Sequence, residues 1–345
     1  MPEIYDPAKP FNDQVRRLIG KTHRDGPVFV IPHEKRFKRV NDPRWNDYFS
    51  QDAVDGIGTK GLLHWQMDTL EYGVQDAFAM VVDDLMEGNY VPVSLQDHIL
   101  IQEENHEKIF RMVGTLADLC KEHGIAITAG ETAIINTLQG FEMGITAQGY
   151  CRKGEEITPR TRPGDVVIGL GSSGIHSNGL SFYRQELFDK RGMTLETPLP
   201  WGATVGGELT IPTHVYMTAL KDMIKYMRED IHGMVHITGG GLSKLRELAP
   251  ERDVDIEVGR THRLEPQEIF RFAYELDPSS EKMYTRFNNG VGYAIAVPSD
   301  RAEEALGMLR RHFPAEEIGI IRYIVCRGTG RVAIESQYDG GTVVY

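Results

Sequence analysis

The sequence predicts an α/β chain of two domains, and three observations carry that prediction. Its 345 residues are more than one ordinary core needs and suit two of middling size. Apolar runs of strand length alternate with stretches of helical periodicity in both halves, the pattern of open sheets covered by helices. The stretch "TRPGDVV" sets Pro163 and Gly164 between apolar runs, as at a domain boundary. The expected domains are residues 1–163 and 164–345.

The elements follow in order. Up to Ser50 the chain is polar and basic in places, so it is expected to be irregular apart from a short helix over residues 11–19, packing late or against a partner. A strand over 51–55, a helix over 74–87 and a strand over 91–95 come next. The helix expected over 104–123 carries Ile109, Met112, Val113, Leu116, Leu119 and Cys120 at helical spacing, and Gly124 ends it. "IAITAG" and "EMGITAQGYC" read as strands. Beyond the boundary the pattern gives a strand over 166–170, helices over 180–190 and 213–227, the strand "MVHIT" and a helix over 243–248. It closes with the strands "VDIEV" and "GYAIAV", a helix over 302–312, and the strands "EIGIIRYIV" and "RVAIES".

Charge and cysteine usage narrow the class. With 38 Lys and Arg against 50 Asp and Glu, the net charge of -12 argues against a nucleic-acid-binding surface. Cys120, Cys151 and Cys326 are scattered without metal-ligand spacing and read as reduced core thiols of a cytoplasmic protein. The N-terminus "MPEIYDPAKPFNDQ" has prolines and acids where a signal peptide needs an apolar core, and no apolar run reaches membrane-spanning length. Neither nucleic acid nor membrane is an expected partner.

Several stretches carry chemistry. In "QDAVDGIGTKG", Asp55 ends a strand and Gly56, Gly58, Thr59 and Lys60 follow; backbone N–H groups can turn toward an anion there, with Lys60 adding charge and Thr59 a hydroxyl. The alternative is a tight turn beside a solvated lysine. In "MVVDDLMEG", Asp83 and Asp84 interrupt an apolar helical run; neighbouring helix positions diverge by about 100°, so at most one faces solvent. In "ITAGETA", Glu131 is expected just past a strand end. These acids are the hard oxygen ligands that Mg²⁺ prefers.

"IGLGSSGIHSNGLSFYR" contains Gly169, Gly171 and Gly174 in a dinucleotide-binding spacing. The acid that would meet a ribose, Asp189, falls inside a predicted helix and not at a strand end. With Ser172, Ser173, Gly174, His176, Ser177 and Asn178 crowding a turn before a helix, the stretch reads better as a phosphate-binding turn. Gly239, Gly240 and Gly241 in "VHITGGGLSKL" form a second anion nest, with His236 either a core histidine or a catalytic contact, and "RFNNGVGY" implies left-handed backbone at its Asn-Asn-Gly turn.

In this order, "DGIGTK", "DDL", "AGETA", "GSSGIHSNGLSFYR", "HITGGG", "FNNGVG" and "IGII" closely resemble the aminoimidazole ribonucleotide synthetase family, the phosphoribosylformylglycinamidine cyclo-ligases, from about Asp52 to Ser336. Selenophosphate synthetase, thiamine-monophosphate kinase and a hydrogenase-maturation protein share the acid-rich first half and match the second less well. The resemblance implies an α/β two-domain fold whose N-terminal sheets close a dimeric barrel, with a C-terminal α/β sandwich. It implies a homodimer using ATP and Mg²⁺ on a small phosphorylated substrate. The implied reaction is ring closure of formylglycinamidine ribonucleotide to aminoimidazole ribonucleotide, releasing ADP and phosphate, by phosphorylation of the formyl oxygen and attack of an amine. Carried over by motif, Asp55, Asp84 (with Asp83 beside it) and Glu131 would hold Mg²⁺. Lys60 would meet the nucleotide phosphates, the Ser172–Asn178 turn and Gly239–Gly241 would bind phosphate, and Asp97 and His176 would be polar catalytic contacts.

The departures from the family pattern fall around the nucleotide and substrate. "VFVIPHEKRFKRVNDPRWNDYFS" lacks the glycine-rich lid, and Lys35, Arg36, Lys38 and Arg39 are expected to replace it. Asp83 stands where the family has Asn, "AGETA" replaces "GGETA", "EMPGMY" is missing, and "FNNGVG" replaces "FNCGVG". The other readings are a divergent paralogue acting on another amide-like oxygen, a non-catalytic relative, and an NAD(P)-binding oxidoreductase.

Overall fold

A computed structural model of the chain describes residues 12–23, 29–33, 36–40, 46–249, 254–322 and 325–345. It divides into two compact units, the first formed by residues up to 85 and 90–154, the second by residues 86–89 and 155–345.

The first unit contains α1 (Asn12–Ile19), β1 (Phe29–His33), β2 (Arg36–Val40), β3 (Tyr48–Gly56), α2 (Lys60–Met67), α3 (Leu70–Glu87, whose last two residues belong to the second unit), β4 (Val91–Ile101), α4 (His106–His123), β5 (Ala126–Ile134) and β6 (Phe141–Arg152). Its main sheet runs β3-β6-β4-β5, with β6 antiparallel to both neighbours and β4 parallel to β5. Strand β6 alternates strictly, burying Phe141, Met143, Ile145, Ala147 and Cys151 on one face, the period of two that a one-sided core imposes. Met112, Val113, Leu116, Ala117 and Cys120 are the buried stripe of α4. Asn105 caps that helix by accepting from the Lys108 N–H, and Gly124 stops it at φ 71°, as the sequence predicts.

The N-terminal arm is not irregular. Beyond α1 it forms the antiparallel hairpin β1–β2, whose alternation is masked in sequence by Pro32 and by charges on both sides. Its described start also bonds within the chain. The Ile127 N–H donates to Thr22 Oγ1 at 3.0 Å, and the Ile127 carbonyl lies 3.1 Å from His23 Nε2, so β5 holds the arm by its own main chain. Lys35, and the side chains of Arg36, Lys38 and Arg39, lie outside the described residues.

The second unit contains β7 (Asp165–Gly171), α5 (Leu180–Tyr183), α6 (Val205–Leu209), α7 (Met217–Met227), β8 (Gly233–His236), β9 (Val254–Val258), α8 (Glu268–Leu276), α9 (Ser280–Arg286), β10 (Val291–Pro298), α10 (Ala302–Leu309), β11 (Ile318–Arg322), β12 (Val325–Arg327), β13 (Val332–Glu335) and β14 (Thr342–Val344). One sheet runs β11-β7-β10-β8 and another β12-β9-β13-β14. Val167, Ile237, Leu245, Ile256, Ala294 and Ile334 belong to one core cluster that spans both. The helix expected over 180–190 starts as α5 and continues as a π-helix over Arg184–Asp189, and the one expected over 243–248 is a 3₁₀ helix over Gly241–Leu248. Among the described residues no helix is long and apolar enough to cross a membrane.

Candidate functional site

Strand β3 delivers Asp55 and then turns. Gly58, at φ 59°, exposes its N–H at the tip, and that N–H donates to Glu142 Oε1 at 3.1 Å, while the Gly56 N–H donates to Asp55 Oδ1 at 2.7 Å. The turn therefore presents amide hydrogens to carboxylates, the orientation an anion needs. Sequence reasoning missed Glu142; its position between the inward Phe141 and Met143 was the available signal.

Lys60 heads α2 fully buried. Its Nζ lies 3.0 and 2.9 Å from the two carboxylate oxygens of Asp76, and Asp76 Oδ2 is also 2.8 Å from His64 Nε2. His64 Nδ1 in turn lies 2.8 Å from Thr69 Oγ1. Burial pushes the Lys60 ammonium and the His64 imidazole below their ordinary ranges, and Asp76 opposes both shifts. The Lys60 amine that the motif aims at a phosphate is thus turned onto Asp76, a partner 16 positions away that the motif does not contain.

Strand register arranges the acids. Asp55, Ile145, Asp97 and Gly130 form one row across β3, β6, β4 and β5, which puts Asp55 and Asp97 on the same face. Asp97 crowds Gly130 so closely that a Cβ there would meet Oδ1 at 2.5 Å. Burial pushes the Asp97 carboxyl up to about 7, and the Glu131 charge adds to that. Glu131 does not end its strand. It lies inside β5, exposed and opposite His98, in the next row and hence on the other face. In α3, Asp83 is fully buried and Asp84 half-buried. Among the described residues no three His, Cys, Asp or Glu side chains gather to hold a metal ion.

In the second unit the Ser172–Asn178 turn is tightly built. Ser172 Oγ donates to Asn288 Oδ1 at 2.9 Å, Ser173 Oγ donates to the Pro212 carbonyl at 2.6 Å, and the Ser173 N–H donates to His176 Nε2 at 3.2 Å. His176 is buried at a left-handed φ of 55°. Ser177 Oγ and Asn178 Nδ2 are buried and lack a hydrogen-bond partner among the described residues. Around His176 stand His214 and Tyr216, at 6.4 and 6.2 Å between ring centroids, with His236 stacked on Tyr293 behind them. His236 is buried. The Tyr216 hydroxyl donates to the Gly171 carbonyl at 2.7 Å and occupies the space a Cβ on Gly292 would need. His214 and Tyr216, in "PTHVY", were missed because no glycine marks that segment.

In the other nest, Gly239 and Gly240 are exposed, with φ 97° at Gly240 and 57° at Gly241. A Cβ on Gly241 would lie 2.4 Å from the Phe287 carbonyl oxygen, so glycine is required there for close approach. Lys244, a further cation the sequence reading passed over, donates to Thr238 Oγ1 at 3.1 Å beside this tip. As predicted, the Asn-Asn-Gly turn is left-handed, with φ 49° at Asn289 and 90° at Gly290.

The descriptions "AIR synthase related protein", N-terminal and C-terminal domain, match residues 52–151 and 162–322. The chain belongs to the AIR synthase-related family. Among curated AIR synthase relatives, the phosphoribosylformylglycinamidine cyclo-ligase of Thermococcus kodakarensis is 37% identical over 80% of this chain and 80% of its own length. That of Methanococcus vannielii is 32% identical over 96% of this chain and 92% of its own. Among solved structures, hydrogenase maturation protein HypE of E. coli aligns with a TM-score of 0.66 at 17% identity, over 96% of each chain. Thiamine-monophosphate kinase of Stenotrophomonas maltophilia aligns at 0.64 and 18%, over 95% of this chain and 96% of its own, so these two share the two-domain α/β fold. β7, which carries Gly169 and Gly171 of the glycine fingerprint, is antiparallel to both β10 and β11, whereas a dinucleotide turn opens a parallel βαβ unit. Gly171 instead lets the Glu317 main chain approach closely, its carbonyl oxygen lying 3.1 Å from where a Cβ would stand.

Proposed function

We propose that the chain is an ATP-dependent cyclo-ligase that closes the imidazole ring of aminoimidazole ribonucleotide from formylglycinamidine ribonucleotide, releasing ADP and phosphate. The observation that carries this reading is identity of 32–37% to proteins named for that activity, over 80–96% of the chain and in both family domains. The geometry supports it at the anion-binding turns. Two buried polar groups, Ser177 Oγ and Asn178 Nδ2, are left for a ligand within the Ser172–Asn178 turn, and the Gly56 and Gly58 N–H groups already donate to carboxylate oxygens, so the Gly56–Gly58 turn has the donor orientation an anion would use. Phosphoryl transfer asks a protein mainly for positioning and for charge stabilisation, which turns of this kind supply.

Mg²⁺ fits the first unit in one form. With no three-ligand cage among the described residues, the donor set suits an ion held by one or two carboxylates and completed by water and nucleotide phosphate. Asp55 and the half-buried Asp84 would hold it, whereas Glu131 lies on the opposite sheet face from Asp55 and Asp83 is fully buried, which sets both apart from that pair. Bound there, Mg²⁺ would neutralise phosphate charge. Asp97, with its carboxyl near neutrality, is suited to hold or release a proton at working pH. Lys60 acts on the nucleotide through the helix start that its pair with Asp76 fixes. His176 contacts substrate or lines the turn that does. The enzyme works as a homodimer closed across the open face of the β3-β6-β4-β5 sheet.

The test is ADP release by the purified protein with ATP and Mg²⁺, with and without formylglycinamidine ribonucleotide. Substrate-dependent ADP with equal aminoimidazole ribonucleotide is the expected result. ATP binding without turnover would move the search to a different acceptor, and no ATP binding would leave a non-catalytic relative.

A further inference from the structure

The last residues of the chain, beyond the family match that ends at 322, reach the phosphate-binding turn through hydrogen bonds. Tyr338 follows β13, stacks on Tyr274 at 4.8 Å between centroids, and donates its hydroxyl proton to Asn289 Oδ1 at 2.5 Å. With that oxygen engaged, the other end of the Asn289 amide faces the carbonyls of Met283 and Phe287, donating at 3.0 and 2.7 Å. Every polar atom of the side chain is thereby fixed. This matters because Asn289 is held at φ 49°, a region that Asn enters more readily than other residues with a Cβ but in which its side-chain bonds fix one orientation of the turn.

The next residue back carries the restraint onward. Asn288 Oδ1 accepts from Ser172 Oγ at 2.9 Å and from the Gly290 N–H at 3.0 Å, and Asn288 Nδ2 donates to the Gly174 carbonyl at 2.9 Å. The Ser172 N–H donates to the Gly290 carbonyl at 3.0 Å. Asn288 and Asn289 are both buried, so water does not substitute for a lost bond. The Ser172–Asn178 turn is thus bonded to a left-handed turn whose own shape is set from the C-terminus.

We infer that Tyr338 is a positioning residue: through Asn289 and Asn288 its hydroxyl sets the Ser172–Asn178 turn, so the C-terminal segment tunes how tightly that turn binds a phosphorylated ligand. The binding half of this inference rests on the proposed cyclo-ligase reading, and the structural half does not. The experiment therefore uses two readouts on the full chain, in Tyr338→Phe and in Tyr274→Phe. The second variant loses a tail contact of its own, the Tyr274 hydroxyl to Asp339 Oδ2 at 3.3 Å, but keeps the ring that stacks on Tyr338 and the Tyr338 hydroxyl bond to Asn289.

Amide hydrogen exchange is read first. Exchange at Ser172 and its turn is expected to quicken on the order of tenfold in Tyr338→Phe and to stay unchanged in Tyr274→Phe, the loss of one buried hydrogen bond being worth about that factor. Steady-state kinetics come second, with KM for ATP or formylglycinamidine ribonucleotide rising on the order of tenfold in Tyr338→Phe while kcat stays within about twofold. Unchanged exchange in Tyr338→Phe, or equal changes in both variants, overturns the inference, because the tail would then be bracing alone. Quickened exchange with an unchanged KM overturns its binding half. If the parent protein shows no turnover, the cyclo-ligase reading fails while exchange still decides the relay.

Discussion

Lys60 and Asp76 form an ion pair from which solvent is fully excluded, Nζ 2.9 Å from Oδ2, at the junction where the glycine turn enters α2. Removing one partner strands a charge in the interior, whereas the intact pair with His64 is compensated on all sides. Asp76→Ala is expected to lower the unfolding free energy by about 3–5 kcal/mol, measured by urea denaturation. Lys60→Met combined with Asp76→Leu should recover most of that loss. A double variant no more stable than Asp76→Ala would show that the cost comes from a cavity and not from an unpaired charge.

This pair also marks how far the sequence was legible. Strand ends and glycine turns are local patterns, so Asp55, the Ser172–Asn178 turn and the left-handed Asn289–Gly290 turn can be read directly from adjacent residues. Partner choice is not local: nothing near Lys60 announces Asp76, and Ser172 meets Asn288 across 116 positions of chain. Strand length misled in a related way. β4 and β5 run further than their apolar stretches, because polar residues such as Asp97 and Glu131 continue the ladder once apolar alternation has lapsed. The face each acid takes follows from register, which a sequence without its pairing does not contain.

Asp97 gives a pH signature of known sign. Its ordinary value is 3.8 and burial raises it to about 7, so between those values the folded protein holds a proton that the unfolded chain has released. Stability contributed by this group is therefore full below about pH 4 and falls as pH rises toward 7. Asp97→Asn should remove that slope, making the variant more stable than the parent at pH 7.5 by on the order of 4 kcal/mol and about equal to it at pH 4. Urea titrations at the two pH values check it. A parallel pH profile of kcat/KM should lose an inflection near neutrality in the variant, and a variant whose inflection persists would remove Asp97 from the proton-handling role.

Asn178 separates stability from binding. Its buried Nδ2 has no hydrogen-bond partner among the described residues, a condition that costs a folded protein about 1–3 kcal/mol unless a ligand relieves it. Asn178→Ala should leave the ligand-free protein within about 1 kcal/mol of the parent, because the lost packing offsets the relieved amide. The same change should raise KM for a phosphorylated ligand at least tenfold, on the order of what one hydrogen bond to a charged group is worth. Thermal unfolding of the ligand-free protein and initial rates are the paired measurements. A stability loss without a change in KM would make Asn178 a structural residue.

The proposed homodimer predicts where a single charge should break it. Val54, Thr146, Gln96 and Ala129 form a row on the sheet face opposite Asp97, and Val54 is 72% exposed in the single chain. Val54 is the exposed large apolar residue of that row, and closing two such sheets on one another would bury it. Val54→Glu would place a carboxylate in the centre of that contact, where it has no described partner and burial is costly. Light scattering of the parent should give twice the 38.9 kDa of one chain, and of the variant one chain's mass, with the far-ultraviolet circular dichroism unchanged. A parent that already runs at 38.9 kDa would remove the dimer, and a variant that stays dimeric would move the contact to another face.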